Sequence, residues 1–227
     1  IGGRMSYIDA LFKKDEDKIY VVEGDPKKGR IFTEYDARYV FYYPDARGKH
    51  RSMTGEPLQR VVCQTNKEFI KEQRIRSNKQ LYENDINPVF RCLEENYLGK
   101  ETPKLNVMFF DIEVDFDPDR GYSTTDDPFM PITAISCYMS WTDQLVTFAV
   151  PPKTISMDDA KELTKRFDNT MLFAKEKDML DAFLELVQDA DILSGWNSEG
   201  YDIPYTVGRI QKVLSSDDTR RLCFWGE

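Results

Sequence analysis

The sequence predicts an α/β (α+β) protein of two domains: a smaller mixed α/β domain over residues 1–104, and a second over residues 105–227 built on a mixed central sheet. Three observations carry that expectation. The 227 residues, 41% hydrophobic and 13% aromatic, exceed one small module and are apolar enough to bury a core. The charge breaks in mid-chain. Residues 1–100 hold 19 Lys and Arg against 16 Asp and Glu, a net of +3; residues 101–227 hold 12 against 24, a net of −12; together they give the overall −9. Finally, Pro103 and its polar neighbours mark a boundary, after which apolar residues recur first at strand and then at helical spacing.

In the first domain, residues 19–22 and 38–43 are short runs rich in β-branched and aromatic residues. Gly24-Asp25-Pro26 and Tyr43-Pro44-Asp45 are the turns that end them, and a third strand is expected near residues 60–64. Asn66 is placed as the cap of a short helix beginning at Lys67. Lys67, Lys71, Arg74, Arg76 and Lys79 form a basic stretch, read as a solvated helix face in preference to a nucleic-acid contact. Ile-Gly-Gly-Arg ahead of Met5 lacks a signal-peptide core, and Met5 is the expected natural start.

In the second domain, residues 106–114 (NVMFFDIEV) are the most apolar strand-like segment. Val107, Phe109, Asp111 and Glu113 fall on one face, and Met108, Phe110, Ile112 and Val114 on the other. Apolar residues on both faces predict a central strand buried on both sides. Residues 132–141 and 145–150 are two further strands around a hairpin turn at Thr142-Asp143. Ser156 and Asp159 resemble a capping box for a helix over 157–167. A second helix over 175–188 gathers Met179, Phe183, Leu186 and Val187 on one face. A fourth strand is expected over 191–196. Ile203, Val207, Ile210 and Leu214 then repeat at helical spacing, with Pro204 tolerated in the first turn. The order β-β-β-α-α-β-α implies antiparallel meanders followed by a crossover to a fourth strand.

Several function classes are excluded. No apolar run reaches the roughly 18 residues of a membrane span. Cys63, Cys92, Cys137 and Cys223 are 29, 45 and 86 residues apart, so no zinc ribbon or C-x-x-C redox motif is encoded, and the setting is read as reducing and cytoplasmic. With His50 the single histidine, neither His-dependent catalysis nor a His-rich metal site is expected. The acidic second half requires that any phosphate there be brought in by cations.

Asp111-x-Glu113 is the sharpest chemical feature: two carboxylates on the same face of an apolar strand, with no basic residue flanking them. Buried like charges are expensive, so a metal is the natural neutraliser, and oxygen-only ligands favour Mg²⁺ or Mn²⁺. The other reading leaves one carboxylate beyond the strand end in water. The second feature is W-N-S-E-G-Y-D-I-P-Y at 196–205, where a strand turns tightly into a helix. A crossover strand parallel to the first would bring Asp202 to the edge of the sheet that holds Asp111 and Glu113. Taken alone, Asp202 as a helix cap and Asn197 as a turn residue are the favoured readings.

Together these segments resemble family B replicative DNA polymerases, most closely those of T-even-like bacteriophages. F-D-I-E-V at 110–114 looks like the first exonuclease motif, G-W-N-S-E-G-Y-D-I-P-Y at 195–205 like the second, and P-I-T-A-I-S at 131–136 lies between them as it does there. The resemblance is strong over 105–214 and weaker over 5–100. It implies an RNase H-like fold and a DNA polymerase (nucleotidyltransferase) with 3′→5′ proofreading exonuclease activity. It also implies two divalent ions, Mg²⁺ or Mn²⁺: Asp111 would bridge both, Glu113 would bind one and orient water, and Asp202 would bind the other. Asn197 and Tyr201 would line the single-strand groove, and Tyr122 would stack on a base. The implied partners are the 3′ end of single-stranded DNA, primer–template DNA and the remainder of the polymerase chain, with RNA a candidate at the amino-terminal domain. No membrane is implied; the location would be cytoplasmic, in the host cell if phage-encoded. The family's third motif, Y-x-x-x-D, and its polymerase aspartates are not found, so the expectation is an amino-terminal piece of a longer polymerase, weak or inactive alone.

Three other readings remain beside it: a calcium loop at Asp115-x-Asp117-x-Asp119, a stand-alone exonuclease, and a fragment whose main role is binding nucleic acid. The calcium loop has Arg120 where an EF-hand wants glycine, Pro118 inside it, and a strand rather than a helix before it.

Overall fold

The structure is a computed structural model describing residues 6–25 and 28–226. Met5 and Pro26, named above as a start and a turn residue, lie outside the described residues. The chain divides into two compact units after Pro103.

The first unit holds two antiparallel three-stranded sheets. In one, β1 (Ser6–Lys13), β2 (Lys18–Asp25) and β3 (Gly29–Asp36) lie in chain order. The β2–β3 pairing closes at Asp25 and Gly29, and Gly29 takes the positive φ (75°) that a tight turn demands. In the other, β4 (Tyr39–Pro44), β6 (Pro57–Cys63) and β5 (His50–Arg51) follow that spatial order. Helices α1 (Asn66–Ile75) and α2 (Pro88–Tyr97) complete the unit. The core gathers Ile19, Val21, Ala37, Tyr39, Cys63, Cys92 and Tyr97.

The expected cap at Asn66 is corrected by one residue. Thr65 is the cap, its side chain accepting from the Glu68 N–H, because an extended residue with a hydroxyl three positions ahead satisfies that orphan donor. Strands β1, β3 and β5 and helix α2 were not expected; β1 and β3 carry charged residues within their alternation and bury few side chains fully. Of the basic stretch, Lys67, Lys71, Arg74 and Lys79 are exposed, as a solvated face requires, whereas Arg76, just past α1, is largely withdrawn from water: it pairs with Glu72 at 2.5 Å and, with Lys79, lies over the Tyr43 ring.

The second unit is a five-stranded mixed sheet in the order β10-β9-β8-β7-β11. Its strands are β7 (Val107–Val114), β8 (Ile132–Met139), β9 (Gln144–Ala149), β10 (Thr170–Leu172) and β11 (Ile192–Ser194). The first three form an antiparallel meander; β10 runs parallel to β9, and β11 parallel to β7. Helices α3 (Met157–Thr164) and α4 (Glu176–Val187) fill the crossovers from β9 to β10 and from β10 to β11, and α5 (Asp202–Val213) follows the last strand. Ser156 caps α3 as expected, with its hydroxyl accepting from the Asp159 N–H and donating to the Asp159 carboxylate. Strand β10, three residues long, was not expected, because so short a run has no readable period. Among the described residues no helix is long and apolar enough to cross a membrane.

The core lies on one face of this sheet. Met108, Phe110, Ile112, Ile135, Cys137 and Phe148 pack with Met179, Leu180, Phe183, Leu184 and Val187 of α4 and with Tyr205 and Ile210 of α5. Strand β7 is therefore not buried on both faces as its composition suggested. Its burial alternates, and Phe109, on the side opposite the core, is 47% exposed. The strand is internal by hydrogen bonding, with β8 on one side and β11 on the other, but only one of its faces is buried.

Candidate active site

Asp111 and Glu113 stand on the open face of β7, across from Ser136 and Ala134 of β8. Both are exposed. The argument that they are buried like charges is thus corrected: alternation places them together, but on the side of β7 opposite its packed core residues. Water and any mobile cation reach them directly.

The buried carboxylate is Asp202. Parallel pairing of β11 with β7, at Ile192–Val107, Leu193–Met108 and Ser194–Phe109, carries the chain beside the first motif. Gly195 then passes so close that a Cβ there would lie 2.4 Å from the Phe110 carbonyl oxygen, which only glycine permits. Asn197 adopts a positive φ (53°), and its carbonyl accepts from the N–H groups of Gly200 and Tyr201, both at 3.0 Å, turning the chain into α5.

Asp202 is the first residue of α5, 4% exposed, and its Oδ1 accepts from the Ile112 N–H at 3.2 Å. The capping role considered for it is corrected as well: Tyr201 occupies the cap position, and no side chain caps the helix. Burial pushes the Asp202 carboxyl up, and the like charge of Asp111 pushes it further, against the lowering effect of the backbone N–H groups of Ile112 and of Asp202 itself. Asp111 and Asp202 therefore act on one another electrostatically, with Glu113 on the same face as Asp111. Among the described residues, no group of three His, Cys, Asp or Glu side chains is arranged to hold a metal ion.

The other expected contact residues separate. Asn197 is exposed and lines a shallow groove with Gly195, Ser198, Glu199 and Gly200. Its side chain also packs on Gly200, whose Cβ, if present, would lie 2.6 Å from the Asn197 Oδ1. Tyr201 is half-buried and stacks on Tyr205 with ring centroids 5.4 Å apart, so one face of its ring is already occupied. Tyr122 is 84% exposed on the β7–β8 loop, its ring against Phe116 at 4.9 Å.

Three aromatic residues were missed: Phe116 beside Tyr122, exposed Phe109 on the Asp111 face, and Trp196, 93% exposed in the turn after β11. Phe109 was detectable, because strand alternation alone puts it on the carboxylate face. The calcium-loop reading is not supported. Asp117 spends its Oδ1 on the N–H groups of Asp119 and Arg120, which lowers its carboxyl, and the segment before it is strand β7.

Comparison with known proteins adds three findings. The profile of the DNA polymerase family B, exonuclease domain matches residues 61–227. The chain is similar to the DNA-directed DNA polymerase of Escherichia phage RB69, 27% identical over 238 residues, which cover 94% of this chain and 26% of that protein. The chain thus spans about a quarter of the length of this curated relative. Its fold is similar to that of the family B DNA polymerase from the hyperthermophilic archaeon Pyrobaculum calidifontis, with a TM-score of 0.64 at 17% identity, over 98% of this chain and 34% of that one.

Proposed function

This chain belongs to family B of the DNA polymerases through their exonuclease domain, and on that premise we propose that it removes nucleotides one at a time from the 3′ end of single-stranded DNA, as the proofreading part of a polymerase. The observation that carries the proposal is the approach of Asp202, buried at the start of α5, to the Ile112 N–H and to the charge of Asp111 on β7, the strand that also carries Glu113, inside the region matching the exonuclease family. The similarity to a phage polymerase supports the nearer likeness to the T-even-like bacteriophage enzymes.

The three carboxylates are not gathered into a metal-holding group in this structure, but the chemistry of the donors suits Mg²⁺ or Mn²⁺: they are oxygen-only, and the charge acting on buried Asp202 is another carboxylate rather than a cation. Asp111, Glu113 and Asp202 are the residues that would hold the ions. When bound, two such ions activate water and stabilise charge on the departing 3′ oxygen. The chain's own contribution is positional. The Ile112 N–H holds Asp202 in place, the rigid strand holds Asp111 and Glu113 two residues apart on one face, and Tyr122, Asn197 and Tyr201 are the candidates to touch the strand end. Aromatic faces suit this task because every base can stack on them. By the same premise the partners are a single-stranded 3′ end, primer–template DNA and the other parts of a polymerase, in a cytoplasmic setting. Among the described residues no feature favours RNA at the first unit, a stand-alone enzyme or a purely binding role.

The test is Asp111→Ala in a polymerase carrying this segment. Release of 3′ nucleotides from single-stranded DNA should fall by about 100-fold or more, because losing one metal ligand costs at least what losing its supporting contacts does, while primer extension persists. Undiminished release would overturn the assignment.

A further inference from the structure

One face of α5 is given over to holding a loop. Asp202 reaches the Ile112 N–H from it. One turn on, the Tyr205 hydroxyl donates to the Met130 carbonyl at 2.8 Å. Gly208 packs on Pro128, where a Cβ would come within 2.6 Å of the proline ring. Arg209 Nη1 donates to the carbonyls of Pro128 (2.9 Å) and Phe129 (3.3 Å), and Lys212 Nζ reaches Asp127 Oδ1 at 3.2 Å. These positions recur at helical spacing, so one stripe of the helix serves both the carboxylate and residues 127–130.

Arg209 is the centre of the stripe. Its Nε donates to Glu176 Oε1 at 2.8 Å, and its Nη2 bonds Glu176 Oε2. The two side chains are only 10% and 11% exposed. Glu176 Oε1 also accepts from the Ile132 N–H at 2.8 Å, where β8 begins. The pair therefore ties together α4, α5 and the end of the β7–β8 loop. Within the loop, Ser123 continues the network: its hydroxyl donates to the Asp127 carbonyl and accepts from the N–H groups of Phe129 and Met130. Just before Ser123 stands exposed Tyr122, against Phe116.

A buried ion pair is a weak source of stability, since desolvation offsets most of its attraction; what it fixes is geometry. We propose that the Arg209–Glu176 pair is a positioning device: it registers the loop carrying Phe116 and Tyr122 against the helix carrying Asp202, and so sets the grip on a single-stranded DNA end. This rests on the function proposed above. Arg209 touches no substrate in this scheme; it acts through the carbonyls it holds. Lysine at this position would keep the charge and lose the planar fork that serves Glu176 and two carbonyls at once.

The test uses the 227-residue chain in two variants, Arg209→Lys and the gentler Tyr205→Phe, which removes only the hydroxyl bonded to Met130. Two readouts are taken: amide hydrogen exchange of residues 115–131, and affinity in Mg²⁺ for a fluorescent oligothymidylate with phosphorothioate 3′ linkages that resist hydrolysis. Arg209→Lys should speed loop exchange and weaken binding roughly tenfold, the scale of one lost base stack. Tyr205→Phe should act in the same directions by less, and it decides the matter if Arg209→Lys does not fold. Faster exchange or a lower melting temperature with unchanged affinity would make the pair merely structural and overturn the proposal. So would unchanged exchange. No binding by the unsubstituted chain would overturn the proposed function and this inference with it; binding that the variants leave intact overturns the inference alone.

Discussion

Replacing Asp202 separates the two physical roles its position combines. Its Oδ1 is the acceptor for the buried Ile112 N–H, and its charge is disfavoured by burial and by Asp111. Asp202→Ala removes both; Asp202→Asn keeps an acceptor and removes only the charge. The difference between the variants is the penalty for an unsatisfied buried N–H, about 1–3 kcal/mol. At roughly 4 °C per kcal/mol for a unit of this size, the alanine variant should melt about 4–12 °C below the asparagine variant. The sign with pH follows from the raised carboxyl. A raised acid favours its neutral form, so Asp202 contributes stability that is present at low pH and lost as pH rises through its folded-state value. At neutral pH without divalent ions, Asp202→Asn should therefore be at least as stable as the parent, and the gap should close on acidification. Adding Mn²⁺ should reverse the order, since an ion at a hundred times its dissociation constant stabilises the parent by about 2.7 kcal/mol. Differential scanning fluorimetry across pH, with and without Mn²⁺, reads all of this. Alanine and asparagine variants that melt together would refute the role of the Ile112 bond. An asparagine variant less stable than the metal-free parent at neutral pH would refute the electrostatic reasoning.

The remaining predictions rest on other features. Gly195→Ala drives a Cβ against the Phe110 carbonyl, a backbone atom of an internal strand that cannot swing aside, and should cost about 1–3 kcal/mol or more in urea unfolding; an unshifted midpoint would contradict it. Burial pushes the Cys137 thiol up to about 12, Cys63 up to about 11, and Cys92 upward as well, whereas Cys223 is exposed. At pH 8 a thiol reagent should therefore label Cys223 rapidly and the other three only on unfolding, and a second fast thiol in the native chain would count against the described packing. Limited proteolysis should cut first near Pro103, between the compact units, and leave each intact; a first cut inside β7 or α5 would mean the units do not hold together as described.

What the sequence determined by itself was local and periodic. Alternation put Asp111 and Glu113 on one face of β7, helical spacing found α4 and α5, and the crossover order implied a strand parallel to β7, which β11 is. The two long motif phrases pointed to the exonuclease family that the profile match shows. Strands β1 and β3 were hidden because half-exposed hairpin strands admit charged residues into their alternation, and β10 because three residues have no period. Which carboxylate is buried could not be read. Periodicity says which residues share a face, but not what packs upon it. All the apolar residues of β7 looked like core, yet α4 and α5 cover only the Met108, Phe110 and Ile112 side, leaving Asp111 and Glu113 in water, while Asp202, at the start of α5, is the buried carboxylate. The tie between Arg209 and Glu176 was equally invisible, for two charged residues on separate helices read as solvated faces. Only their packing around the same loop takes them out of water, and the desolvation cost then makes the pairing obligatory.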